Sequence, residues 1–295
     1  MEFGRVTPKE LEKLSLHLPA DPAGNKTILQ PGGKKVKAWL GTSKWGRKEW
    51  VGKLYPKGTR DSQFLREYVK HFNAIELNAT HYRMYKPEEI ANWAEKATGN
   101  DFKFCPKVTN SISHYSGFND AEAATKAFID GIVVFGDQLG PVLLQVSEKY
   151  SPAQREPLFR YLQSWPPDVV LFLELRHPDW YNNKAVYNEL LSTLQQLKMG
   201  LAITDTAGRR DVVHMNLTIP KAFIRFAGNS LHASDYTRID EWAGRLKNWI
   251  DLGLEELYFF IQMPDEALTP ELAQYTIEKF NKVCGLKLPE IKFIG

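Results

Sequence analysis

Val169-Val170-Leu171-Phe172-Leu173-Glu174-Leu175-Arg176-His177 begins as an apolar run and turns polar at its carboxyl end. An uninterrupted apolar run of this length suits a strand buried on both faces, as in a parallel sheet covered by helices. The same texture recurs at 36–43, 74–78, 102–108, 141–147, 200–205, 222–226 and 257–262. Amphipathic patterns lie between these runs. Phe64, Leu65, Tyr68 and Phe72 share one face of a helix predicted over 61–72. Pro87 opens a helix carrying Ile90, Trp93, Ala94 and Ala97, and Ser151-Pro152 sets a cap and a first-turn proline ahead of Leu158, Leu162 and Trp165. Val186, Leu190, Leu194 and Leu197 form another stripe, Trp242, Leu246 and Trp249 the next, and Thr269-Pro270 starts the last helix. Eight strands alternating with helices predict an α/β fold, a TIM-like (β/α)8 barrel. A doubly wound open sheet is the competitor, but no Gly-rich phosphate loop follows any strand.

The 295 residues are 43% hydrophobic and 25% charged, the balance of a folded globular protein rather than a disordered one. Only Cys105 and Cys284 are cysteines, which excludes a disulfide framework and a cysteine-based zinc site. Two reduced thiols fit an intracellular protein. The N-terminus lacks the apolar core of a secretory signal, and no apolar run reaches the length of a membrane span, so a cytoplasmic protein with no membrane partner is expected. Residues 1–35 read as an N-terminal extension: Thr7-Pro8 starts a short helix through Leu16, and Pro19, Pro22, Gly24 and Pro31-Gly32-Gly33 then break the chain. Residues 36–295 read as a single domain. Net charge is +3, yet the segment from Lys34 to Arg60 carries nine basic residues against Glu49 alone, leaving −5 for the rest. Such a stretch is either a solvated face or a site for anions.

Barrel strands are apolar, so polar residues at their carboxyl ends point to a ligand site there. Strand one ends in Ser43 and Lys44 with Trp45 following; strand two carries Glu76 and Asn78; strand three ends in Lys107; strand four carries Gln145. Strand five places Glu174 and Arg176 on one face beside His177, strand six ends in Asp205, strand seven holds Arg225, and strand eight ends in Gln262. Glu76 and Glu174 are the first acid/base candidates, expected to stand across the barrel from each other, with Arg176 holding Glu174 ionised. His177 and Asp205 complete the catalytic candidates. Lys44, Lys107, Arg176 and Arg225 are expected to converge on a phosphate or carboxylate of the ligand, with His114 as proton shuttle or anion contact. Trp45, Tyr82 and Trp180 fall in loops after strands, where they either stack on a ligand or close the barrel top, and Ser43, Asn78, Arg83 and Gln145 complete the binding candidates. Glu76, Glu174, Asp205 and His177 are metal-ligand types, but no close histidine pair accompanies them and the surrounding cations oppose a divalent ion, so no metal is assigned. Cys105 reads as a small core hydrophobe.

Several of these residues carry a family likeness. Gly41-Thr42-Ser43-Lys44-Trp45 with Trp50-Val51-Gly52-Lys53-Leu54-Tyr55-Pro56 resembles the opening motif of the DUF72 (YecE-like) family. Ile75-Glu76-Leu77-Asn78-Ala79-Thr80-His81-Tyr82-Arg83 resembles its second motif, with His81 where Phe is commoner. Leu139-Gly140-Pro141-Val142-Leu143-Leu144-Gln145, Glu174-Leu175-Arg176-His177-Pro178-Asp179-Trp180 and Ile224-Arg225-Phe226 resemble three more. The likeness runs over about 36–284 and implies a TIM-barrel-like fold with no assigned activity. The chain departs from the pattern at Phe260-Ile261-Gln262-Met263-Pro264, where the family usually has paired Asn, and at Phe226-Ala227-Gly228-Asn229-Ser230, where it is usually Gly-rich.

The resulting expectation is an enzyme, a hydrolase or lyase, acting by acid/base chemistry on a small anionic or sugar-like molecule, with no cofactor required. The alternative is a nucleic-acid-binding or nucleic-acid-hydrolysing protein in which the basic 34–60 segment tracks phosphates and loop aromatics stack on bases. Oligomeric state is not legible at this level.

Overall fold

A computed structural model describes residues 3–32 and 35–294. Among them the eight predicted strands all form: β1 (Lys37–Thr42), β2 (Ala74–Leu77), β3 (Lys103–Pro106), β4 (Val142–Gln145), β5 (Leu171–Glu174), a sixth split into β6 (Gly200–Leu201) and β7 (Ile203–Asp205), then β8 (Lys221–Ala227) and β9 (Glu256–Gln262). Every pairing is parallel. One sheet has the order β3-β2-β1-β9-β8-β7 and the other β4-β5-β6. Bridges from Phe104 to Leu139 and from Lys107 to Leu143 link β3 to β4. The sheets therefore follow the cyclic order of a TIM-like barrel without one unbroken ladder.

Helices cover the strands: α1 (Phe64–Tyr68), α2 (Pro87–Lys96), α3 (Glu122–Ile132), α4 (Arg155–Ser164), α5 (Lys184–Gln196), α6 (Ala233–Leu252) and α7 (Thr269–Cys284). The predicted 61–72 helix is shorter, a 3-10 turn over Asp61–Gln63 leading into α1. α3 escaped the pattern reading, since Glu122-Ala123-Ala124-Thr125 opens it with small and polar residues and its buried face is only Phe128, Gly131 and Ile132.

Strand side chains alternate between two cores, as a period of two requires. Leu40, Ile75, Phe104, Leu144, Leu173, Ile203, Ile224 and Phe259 face the helices. Trp39, Ala74, Cys105, Leu143, Phe172, Ala202, Phe223, Tyr258 and Phe260 fill the interior. Cys105 is thus the core hydrophobe expected, and burial pushes its thiol well above the ordinary range.

Residues 3–32 pack as a strap along α6. Asp21 Oδ1 accepts hydrogen bonds from Arg245 (3.0 Å) and Trp249 Nε1 (2.9 Å), and Glu241 accepts from the Leu18 amide at 2.8 Å. The predicted Thr7 cap is present on Pro8–Leu11, although the helix stops there rather than at Leu16. At the far end of the strap, Phe3 is buried beneath Arg176 and Arg209, whose guanidinium carbons lie 4.3 and 5.0 Å from its ring centroid.

Phe172 sets a tight constraint in the interior: a Cβ added at Gly200 would lie 2.1 Å from its ring. Gly200→Ala is expected to lower stability by about 1–3 kcal/mol through overpacking. Urea unfolding is the check, with a lower midpoint at unchanged slope as the expected result.

Candidate active site at the carboxyl ends of the strands

The interior apolar layer ends abruptly. Two residues beyond Ala74, Cys105, Leu143, Phe172, Ala202, Phe223 and Phe260 stand Glu76, Lys107, Gln145, Glu174, Thr204, Arg225 and Gln262. Because side chains repeat their direction every second residue, this polar set forms the next interior layer toward the carboxyl ends of the strands. All seven are buried.

Arg225 organises the layer. Its Nε and Nη2 donate to Glu76 Oε2 and Oε1 at 2.7 and 2.8 Å, and its Nη1 donates to Glu174 Oε2 at 2.5 Å. Glu76 and Glu174 come from β2 and β5, which belong to different sheets, and one guanidinium on β8 bridges them. Glu76 Oε1 also accepts from Asn78 (2.9 Å) and Gln262 (3.0 Å), so the altered strand-eight segment still supplies a member of the cluster. Arg176 Nε donates to Glu174 Oε1 at 2.8 Å, and Lys107 Nζ donates to Gln145 Oε1 at 2.9 Å.

Electrostatics follow from this geometry. Burial alone would raise the Glu174 carboxyl, but Arg176 and Arg225 outweigh it and hold it at about 2. For Glu76, burial is likewise overcome, chiefly by Arg225, and its value is lowered. Burial, reinforced by Arg225, drives the Lys107 amine down to about 7. His81 lies beside His114 with ring centroids 5.0 Å apart, and burial followed by the charge of Lys107 lowers both, His81 to about 4. Lys107 is therefore the group of this layer brought near neutrality, while burial and nearby positive charge favour the neutral rings of His81 and His114 and the two carboxylates are locked as anions.

Other sequence candidates lie elsewhere. Asp205 is not in the mouth: its backbone partner Phe226 is one residue past Arg225, so its side chain faces the helix layer, where it accepts from Arg210 Nη1 (2.5 Å), Arg238 Nη1 (3.1 Å) and Trp242 Nε1 (2.8 Å). Burial raises its carboxyl, but Arg238 and Arg210 prevail and hold it low, as befits a structural anion. Lys44 does not converge with the other cations; it is exposed and 3.4 Å from Glu266. Trp180 is fully buried against Phe159, donating to the Tyr150 carbonyl at 2.9 Å. His177 Nδ1 accepts from the Asp179 amide at 3.2 Å and turns the chain into a short helix. Trp45 packs edge-on against Trp93, and Ser43 is half-buried at the end of β1. Tyr82 is exposed, and Arg83 pairs with Glu89 while covering the Tyr85 ring. Among the described residues no three His, Cys, Asp or Glu side chains gather as a metal cage.

Two residues that sequence reasoning passed over belong to the site. Thr204 has a buried Oγ1 with no hydrogen-bond partner among the described residues, and its register with Arg225 turns it toward the interior. Stepping two residues from Ala202 finds it. Phe3, on Arg176, carries no such signal. Of the basic 34–60 segment, Lys34 lies outside the described residues, Arg47 and Lys44 engage Glu266, and Lys53 lies 2.5 Å from Glu271. Among the described residues, no helix is long and apolar enough to cross a membrane.

Because Glu174 titrates below its ordinary 4.5 in the folded protein, its contribution to stability is complete above about pH 5 and is lost as pH falls toward 2. Glu174→Gln is expected to cost about 3–5 kcal/mol at pH 7, since it strips Arg176 and Arg225 of a buried partner. The same variant should flatten the dependence of stability on pH between about 5 and 2. Denaturant midpoints measured across that range test both.

Comparison with known proteins accords with this architecture. The UPF0759 protein YecE of Escherichia coli (strain K12) is 28% identical over 271 residues, covering 86% of this chain and 94% of that protein. The UPF0759 protein YunF of Bacillus subtilis (strain 168) is 24% identical over 164 residues, covering 53% of this chain and 56% of that one. A crystal structure of a DUF72 family protein from Enterococcus faecalis V583 superposes with a TM-score of 0.66 at 17% identity, over 87% of this chain and 98% of the other, a likeness of fold. With residues 39–291 matching the family described as protein of unknown function DUF72, the chain belongs to the DUF72 family.

Proposed function

We propose that the carboxyl end of the barrel is the site of an enzyme acting by proton transfer on a small molecule that carries a phosphate or carboxylate, or is sugar-like. The observation that carries this reading is the buried polar layer itself. Well-packed apolar side chains of similar volume are often as stabilising as a buried ion-pair network, or more so. Two carboxylates, two guanidiniums and an amine placed where the interior could have stayed apolar are therefore poorly explained by folding alone. Their position, at the strand ends of a barrel, is where this architecture holds its chemistry.

The roles divide by protonation behaviour. Glu76 and Glu174 hold Arg225 and Arg176 in place rather than exchanging protons. Arg176, at the rim, presents positive charge toward an anionic group. Lys107 moves the proton, with Gln145 orienting its amine and His81 and His114 as relays. The unpartnered Thr204 hydroxyl supports a polar ligand atom or water reaching the layer. Of the basic 34–60 segment, Lys44, Arg47 and Lys53 are engaged with acidic side chains, and this reading does not draw on the segment.

Thermal-shift screening of the full chain against phosphorylated sugars and small carboxylates is the test. A true ligand near a hundredfold excess over its dissociation constant should raise Tm by roughly 5 °C. That shift should disappear in Lys107→Met. A panel with no active member, or a shift of equal size in the variant, would remove the reading.

A further inference from the structure

We propose that Lys107 is an amine nucleophile that forms a Schiff base with the carbonyl carbon of an aldehyde or ketone substrate. The inference rests on the active-site reading above and goes beyond it, because proton transfer by Lys107 needs no covalent bond. Geometry supplies the argument. The side chain stands just past β3 and is 5% exposed, at an interior position of the polar layer. Among the described residues its amine donates to the neutral amide oxygen of Gln145, which aims it without demanding that it be charged.

The carboxylates that could have paired with the amine are occupied by guanidiniums. Glu76 is held by Arg225 through two bonds, and Glu174 by Arg176 and Arg225. A lysine recruited only to neutralise charge would be placed against one of those carboxylates. Here it bonds a neutral amide instead and lies within the influence of two guanidiniums, a buried setting of the kind that yields a nucleophilic amine. The charged and titratable groups bearing on it are Glu76 and Glu174, which favour the ammonium, and Arg176 and Arg225, which oppose it; burial is the largest influence. His81 and His114 feel its charge in turn.

The step balances without an oxidant, reductant or cofactor. The neutral amine attacks the carbonyl carbon, forming a C–N bond as the C=O π pair moves to oxygen. That oxygen takes a proton and the nitrogen loses one, giving a carbinolamine. Its hydroxyl is protonated and leaves as water, and the nitrogen lone pair closes the C=N bond of a protonated imine. Addition of water reverses each step and frees the lysine. The proton transfers are assigned to His81 and His114, whose rings lie 5.0 Å apart within the electrostatic reach of Lys107.

Reductive trapping tests this directly. The full chain is incubated separately with glyoxylate, which carries a carboxylate, and glycolaldehyde, which is neutral and sugar-like, each with sodium cyanoborohydride from pH 6 to 9. Adducts are located by peptide mass mapping. At pH 7 the expected result is modification of Lys107 on the order of tenfold or more faster than exposed lysines such as Lys35 and Lys48. The Lys107 rate should level off above pH 7 while surface labelling keeps rising. Lys107→Arg should abolish the selective adduct without altering surface labelling. Preference for glyoxylate would assign an anionic carbonyl substrate, and preference for glycolaldehyde a sugar-like one.

To separate blocked access from absent reactivity, the trapping is repeated on Phe3→Ala, which removes the ring packed on Arg176. Labelling confined to surface lysines in both proteins overturns the proposal. If a thermal-shift ligand lost in Lys107→Met nevertheless exists, the active-site reading survives that result. If neither adduct nor ligand is found, both fall.

Discussion

The grip of Arg225 on Glu76 and Glu174 is the constraint around which the interior of this barrel is arranged. A guanidinium presents its donors in a rigid plane, and here that plane spans carboxylates from β2 and β5 while rooted on β8. Burying any one of these charges alone would be prohibitive, so their stability is mutual. Three strands distant in sequence are thereby held in register at the same height. Below them the interior is apolar, from Phe260 and Phe223 down to the stacked rings of Trp39 and Tyr258 at 4.8 Å.

The same pairing shapes the chemistry of its neighbours. Once both carboxylates are committed, Lys107 is left beside positive charge in a buried setting, and its proton becomes labile. Its histidine neighbours are lowered in turn. Protonation behaviour is therefore divided within one layer: carboxylates held as anions, and one amine brought near neutrality. Arg176 joins this layer to the rim, since one end holds Glu174 and its face covers Phe3 of the N-terminal strap.

Much of this was legible along the chain. The strand candidates form where their apolar runs lie, and Glu76, Lys107, Gln145, Glu174, Arg176 and Arg225 stand at strand ends as their spacing required. The failures have specific physical causes. Asp205 ends a strand as the mouth residues do, yet a step of one residue reverses the face, and it lies against Arg238 and Trp242 of α6 instead. Lys44 and Trp180 follow strand ends but sit in loops that turn outward or inward for packing reasons. α3 was missed because its buried face is narrow and its first turn is small and polar. The N-terminal stretch reads as an appendage by composition, yet Asp21, Leu18 and Phe3 bind it to α6 and the mouth.

The sequence by itself determined the alternation of buried strands and amphipathic helices, and hence the barrel class, because hydrophobic periodicity is local and each element carries its own record of it. It also determined which chemical groups stand at the strand ends. Only the tertiary structure decided which of them meet. Whether Glu174 is an acid or a locked anion depends on Arg225, 51 residues away in the chain, and the protonation of Lys107 depends on charges from other strands. Electrostatic and hydrogen-bond partners are chosen by strand register and by which strands the fold brings together, quantities that no short window of sequence contains.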